Sequence, residues 1–260
     1  CRAVNPQLFM IVSVCYTYSQ MNFSNFNLDS HLLQGLEEAG YIECTPVQEQ
    51  VFSAGMDGSD LYVQSQTGTG KTAAYLVTLM QRMLAAGTED RRPALILVPT
   101  RELAVQVEEE ALKLGKHTGI RAASFYGGVG YQQQEEALWA AQRNGLHAVF
   151  DGLFIGTPGR VIDLEKSKTM KLKNVGFLVV DEADRMFDMG FYPDLRSLLS
   201  VLSKAEERQT MLFSATLNTW VKNLAWEYTI DAKEITIDAD NVTVDEINQK
   251  LFHVAAEQKM

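Results

Sequence analysis

The chain has 260 residues, 46% of them hydrophobic, enough for one large domain, or one and a half, with a sizeable core. Its net charge of −10 excludes wrapping of nucleic acid by bulk positive charge but leaves room for a local binding groove. The three cysteines, Cys1, Cys15 and Cys44, form no Cys-x-x-Cys pair, which points away from structural zinc and toward a reducing compartment, here the cytoplasm.

The first apolar run, LFMIVSVCY at 8–16, falls far short of the ~20 residues a membrane span needs, and no clear small-residue cleavage site accompanies it. Neither an anchor nor a signal peptide is expected, and residues 1–21 read as a non-native or disordered leader, the domain starting at or near Met21. LDSHLLQGLEEAG at 28–40 predicts a helix, with Asp29 as N-cap, leucines at 32, 33 and 36, and Gly40 as the stop. Short apolar runs then alternate with helical stretches. The runs cover 60–65, 94–99, 121–127, 153–157, 175–181, 209–216 and 234–238, and helical patterns such as 70–86, 101–115 and 191–203 sit between most of them. Residues 139–152, WAAQRNGLHAVFDG, interrupt this rhythm and read as an insertion or a corrupted stretch. Continuous apolar strands alternating with helices imply an α/β fold with a mainly parallel sheet covered on both faces. Ligands of such sheets bind beyond the carboxyl ends of the strands.

Two strand ends carry chemistry. DLYVQ runs into SQTGTGKT (Ser65, Gln66, Thr67, Gly68, Thr69, Gly70, Lys71, Thr72), which opens a helix. Gly68 and Gly70 let the backbone curl so that its N–H groups point at phosphate oxygens. Lys71 supplies charge for the β/γ-phosphates of a nucleotide, and Thr72 a hydroxyl for Mg²⁺. The positive end of the following helix lies at the same point. The usual pattern begins with Gly, and Ser65, a small residue, holds that place here. Further on, FLVVDEADRM at 177–186 drives an apolar strand into three carboxylates. One reading is a strand entering a solvated helix start, where the dipole favours acids. The other is a Mg²⁺ site, which demands a phosphate loop upstream. With that loop present, Asp181 is expected on the metal and Glu182 on the attacking water, while Asp184 accepts a hydrogen bond from elsewhere in the domain.

DEAD at 181–184, together with other motifs in order along residues 22–260, resembles the DEAD-box ATP-dependent RNA helicases. The resemblance implies a RecA-like P-loop domain, and RMFDMGF (185–191) with RQTMLFSATL (208–217) are similar to a bacterial RhlB-like subgroup. TPVQ (45–48) resembles the family's Q motif. It implies that Thr45 belongs to the ATP site, that Gln48 reads adenine by a bidentate contact and that Phe23 stacks on it. PTREL (99–103), Gly127–Gly128 and TPGR (157–160) look like the RNA-contacting motifs. They imply RNA contacts at Pro99, Thr100, Arg101, Gly128, Thr157, Pro158, Gly159 and Arg160. These residues fall after or near strand ends, where hydroxyls, N–H groups and guanidinium suit a sugar–phosphate backbone read without sequence preference. SAT (214–216) looks like the motif coupling nucleotide state to RNA, with Ser214 and Thr216 near Asp184.

There are departures from the family pattern. Cys44 stands where the family often has Pro, and 28 residues separate Gly128 from Thr157, more than the pattern expects. Nothing matches the family's second RecA-like domain with its arginine finger, and VDEINQKLFHVAAEQKM (244–260) resembles the connection into it. The expected organisation is therefore a domain over 22–238, with 239–260 starting a linker. Such a half, with ATP and Mg²⁺ as cofactors and RNA as partner, would hydrolyse ATP at most slowly alone. RNA-degradation or ribosome-assembly proteins are the further partners implied. A DNA-directed helicase on the same scaffold and an RNA-binding clamp or scaffold are the rival readings.

Overall fold

The computed structural model describes residues 21–130, 152–216 and 218–237. Of the segments read as a leader (1–21), an interruption (139–152) and the start of a linker (239–260), all but Met21 and Gly152 lie outside the described residues.

Seven parallel strands form one sheet: β1 (Leu61–Gln64), β2 (Ala94–Leu97), β3 (Ala122–Phe125), β4 (Leu153–Gly156), β5 (Phe177–Val180), β6 (Gln209–Ser214) and β7 (Lys233–Thr236). Their spatial order is β3-β4-β2-β5-β6-β1-β7. The nine helices among the described residues are α1 (Ser30–Glu38), α2 (Pro46–Gly55), α3 (Lys71–Ala85), α4 (Gly87–Asp90), α5 (Arg101–Leu114), α6 (Pro158–Lys166), α7 (Ala183–Asp188), α8 (Tyr192–Val201) and α9 (Thr219–Tyr228).

Alternation along the strands builds two cores. Leu61, Val63, Ile96, Val179, Met211 and Phe213 face one side and meet α1, α2, α3 and α5 through residues such as Leu36, Phe52, Leu76 and Val107. Tyr62, Leu95, Leu97, Leu178, Val180 and Leu212 face the other and meet α6 to α9 through Val161, Met186, Leu198 and Leu224. Two covered faces explain why the inner strands read as unbroken apolar runs rather than alternating ones. All seven sequence-predicted strands are present and all end earlier than predicted, while the last, Lys233–Thr236, begins one residue before its predicted run. The run 121–127 stops at Phe125 because the chain then turns through Gly128, whose φ of +88° a side chain rarely adopts.

The strand order groups the chemistry. The ends of β5, β6 and β1 lie side by side, so the segments 181–184, 214–216 and 65–72 meet at one half of the carboxyl edge. The ends of β3, β4 and β2 bring 126–128, 157–160 and 99–101 together at the other half.

Candidate functional site

The first cluster is built around the phosphate loop. Gly68 and Gly70 take φ of +85° and +94°, as the curl of the backbone requires. Gln66, Thr67 and Gly68 are exposed, and a Cβ on Gly68 would meet nothing. At Gly70 a Cβ would lie 2.6 Å from Gln48 Nε2, so the tight approach of α2 demands glycine there as well. The base of the loop is tied to β6, Ser65 N donating to the Ser214 carbonyl at 3.0 Å. Across the loop, the Ser65 and Thr69 hydroxyls lie 2.6 Å apart, and Lys71 Nζ donates to the Ser65 carbonyl at 2.8 Å. Ser65 in place of glycine therefore joins the loop's own bonding instead of breaking it.

Asp181 follows β5 and is buried. Its Oδ1 accepts the Glu182 N–H at 2.8 Å and its Oδ2 the Tyr75 hydroxyl at 3.1 Å. Burial pushes its carboxyl up from the usual range, and the nearby Lys71 ammonium opposes that shift. Glu182 adopts a left-handed backbone, φ 51° and ψ 49°, at the start of α7. A residue with a side chain pays about 1–2 kcal/mol for that conformation. Its carboxylate accepts from Arg185 Nη1 at 3.1 Å. The third acid joins a different partner: Asp184 Oδ2 accepts both the N–H and the hydroxyl of Thr216, at 3.0 and 3.1 Å. Ser214 Oγ donates to the Thr216 carbonyl at 2.8 Å, which fixes the turn after β6. The three acids thus have three separate environments, and their mutual repulsion is offset by separate donors.

The Q-motif residues depart in part from expectation. Thr45 and Gln48 form a capping box at the start of α2, with Pro46 at the first helical position. Gln48 is only 2% exposed. Its Oε1 accepts the Thr45 N–H at 2.9 Å, and its Nε2 donates to the Gly70 carbonyl at 3.2 Å. The side chain therefore braces the phosphate loop, and only the second amide hydrogen and the second lone pair are left for a base. Phe23, expected to stack on adenine, is a core ring instead. It is 1% exposed and packs edge-on against Tyr41 and tilted against Phe52. The apolar contacts available to it outweigh any gain from presenting the ring to solvent.

At the other half of the edge, Pro99, Thr100, Arg101, Gly127, Thr157, Gly159 and Arg160 line one groove of about 490 Å³. Thr100 caps α5 by accepting the Leu103 N–H, and Pro158 is buried at the start of α6. Gly128 lies at the lip, facing Arg101. Arg101 is exposed and pairs with Glu102 at 2.6 Å. Arg160 is buried, and its Nη2 donates to the Val129 carbonyl at 3.1 Å, tethering the turn after β3. Glu102, Asp163, Met189 and Phe191 complete the lining.

The DEAD/DEAH box helicase family model matches residues 45–224. The chain belongs to this family. It is similar to the ATP-dependent RNA helicase RhlB of Xanthomonas axonopodis pv. citri, 41% identical over 247 residues, or 93% of this chain and 42% of that protein. The RhlB of Pasteurella multocida is 40% identical over 245 residues, 93% of this chain and 56% of that protein. The chain thus spans about half the length of the curated relatives it matches. Among solved structures, a DEAD box protein from the hyperthermophile Methanococcus jannaschii superposes with a TM-score of 0.75 at 32% identity, over 85% of this chain and 57% of that one. A hypothetical ATP-dependent RNA helicase from Sulfolobus tokodaii gives 0.68 at 28% identity, over 81% and 57%.

For this DEAD/DEAH box domain the residues also test whether a metal–nucleotide pair fits. No group of three or more His, Cys, Asp or Glu among the described residues could hold a metal by itself. Mg²⁺ is ordinarily held through one or two carboxylates plus substrate phosphates. Asp181, bonded to the Tyr75 hydroxyl, and the Thr72 hydroxyl in the first turn of α3 would supply oxygen donors of that kind. Sequence reading missed Tyr75, Arg185, Met189 and Phe191. Tyr75 was detectable as a hydroxyl-bearing ring one helical turn beyond Thr72. Arg185 carried no signal apart from its spacing of three from Glu182.

Proposed function

We propose that residues 22–238 form the first RecA-like domain of an ATP-dependent RNA helicase, with 239–260 leading toward a second such domain. The observation that carries this reading is the strand order. It sets Lys71, Asp181, Glu182 and the Asp184–Thr216 pair along one stretch of the sheet's carboxyl edge, with the groove on the adjoining stretch.

In this reading the loop N–H groups and Lys71 bind the phosphates of ATP. Thr72 and Asp181 hold Mg²⁺, which when bound neutralises phosphate charge. Glu182, freed from Arg185, orients and deprotonates the attacking water. Gln48 uses its remaining donor and acceptor on the adenine edge. The groove takes an RNA backbone through Thr100, Arg101, Gly128, Thr157 and Gly159, with Arg160 holding its wall. The Thr216–Asp184 bonds join the two halves, because Asp184 opens α7 and α7 runs to Met189 at the groove. Clamping between two domains would then bend one strand and open a short duplex. A cytoplasmic location agrees with the composition. The test is ATP turnover by a protein carrying both domains, with RNA or DNA of equal length added. Stimulation by RNA alone supports the reading, equal stimulation by DNA favours a DNA-directed enzyme, and RNA binding without turnover favours a clamp.

A further inference from the structure

The phenol of Tyr75 lies at the centre of the nucleotide cluster, yet the mechanism above does not use it. Tyr75 is fully buried on α3, one turn after Lys71 and Thr72. Its ring packs 5.3 Å from Phe213, a contact phenylalanine would make equally well. The hydroxyl is therefore the informative atom, since burying one costs free energy unless it is bonded. Its partner is Asp181 Oδ2 at 3.1 Å. Asp181 Oδ1 meanwhile accepts the Glu182 N–H at 2.8 Å. Two donors, one on each oxygen, thus set the plane of the carboxylate. Without the phenol only the backbone donor is left, and the carboxylate is free to turn about its last torsion.

We infer that Tyr75 is a positioning residue for the Mg²⁺ side of the site, holding Asp181 in the orientation the ion requires. The inference rests on the reading of the loop as a nucleotide–Mg²⁺ site. Mg²⁺ demands near-ideal octahedral geometry, so a turned carboxylate is penalised. Loss of such an outer hydrogen bond typically costs about 10–100-fold in metal affinity.

The test compares the full chain with its Tyr75→Phe variant. A fluorescent ADP is titrated with excess Mg²⁺ and again with EDTA, and thermal unfolding is recorded for both proteins. Tyr75→Phe should keep the affinity measured in EDTA within about twofold, while the Mg²⁺ needed for half-maximal tightening rises about 10-fold or more. An unchanged Mg²⁺ requirement, or equal weakening with and without Mg²⁺, overturns the inference and leaves the phenol a packing group. A parallel Lys71→Ala titration separates the two levels. Unchanged nucleotide affinity there removes the loop as the site, whatever Tyr75 does. Should the Phe variant not fold, 3-fluorotyrosine placed at position 75 gives the same answer by ¹⁹F NMR. Its resonance should move when Mg²⁺ is added to the ADP complex, and a stationary resonance overturns the inference.

Discussion

Replacing Gln48 with Ala should damage two properties at once, because the side chain has two structural bonds and two spare hydrogen-bonding sites. In the folded chain it accepts the Thr45 N–H at 2.9 Å and donates to the Gly70 carbonyl at 3.2 Å, with almost no solvent to replace it. Each bond is worth about 0.5–1.5 kcal/mol net, and the groups left unpaired cost about 1–3 kcal/mol each if they stay dry. Some water will reach the exposed loop side, so a loss of about 2 kcal/mol is expected, or roughly 4–8 °C in Tm for a domain of this size. The same change removes the amide from the adenine edge. A site that hydrogen-bonds one base edge discriminates against the other by leaving polar groups unpaired. The ATP-over-GTP preference should therefore shrink. Calorimetric unfolding and competition of labelled ATP by GTP are the two assays. A Tm within about 1 °C of the parent would refute the bracing role, given the per-kcal/mol shift expected for this size. An unchanged ATP/GTP ratio would refute the adenine contact, and the two outcomes are independent.

Glu182→Gln in a two-domain protein should keep ATP binding while slowing hydrolysis by roughly 10²–10⁴-fold, the contribution of a general base; turnover at the parent rate removes Glu182 from that role. Arg101→Ala should weaken RNA binding by a similar factor for all sequences and reduce the salt slope by about 1, measured by filter binding across ionic strengths; a sequence-selective loss would contradict backbone reading. Asp60→Ala should cost about 1.5–3 kcal/mol in denaturant unfolding, because Asp60 accepts the Thr210 and Ile230 N–H groups at 2.6 and 2.7 Å; a loss below about 1 kcal/mol, the worth of a single neutral bond, would mean that water replaces it.

Much of the fold was legible because its signals are local and repeated. The unbroken apolar runs of β1, β2, β5 and β6 are what a sheet buried on both faces requires, and SQTGTGKT announces its own turn through Gly68 and Gly70. Pairing Thr216 with Asp184 was also accessible, because it depends on two motifs whose strands lie side by side. What the sequence did not show depends on three-dimensional competition. Phe23 has the composition of a stacking ring, but the pocket formed by Tyr41 and Phe52 takes it into the core. Arg160 reads as a phosphate ligand, yet its guanidinium is drawn to the Val129 carbonyl. Met189 and Phe191 reach the groove only because Gly190, at φ +80°, turns the chain between them. None of these outcomes has a periodicity or a spacing that would announce it.

The central claim is that the 65–72 loop binds an adenine nucleotide through Lys71. It is tested most directly by titrating a fluorescent ATP analogue, with Mg²⁺, into the parent chain and its Lys71→Ala variant. Removing hydrogen bonds from a charged donor costs about 1.5–3 kcal/mol, so the variant should bind about 10–100-fold more weakly. Equal affinity in the two titrations would contradict the account, placing the nucleotide elsewhere or showing that this loop binds none.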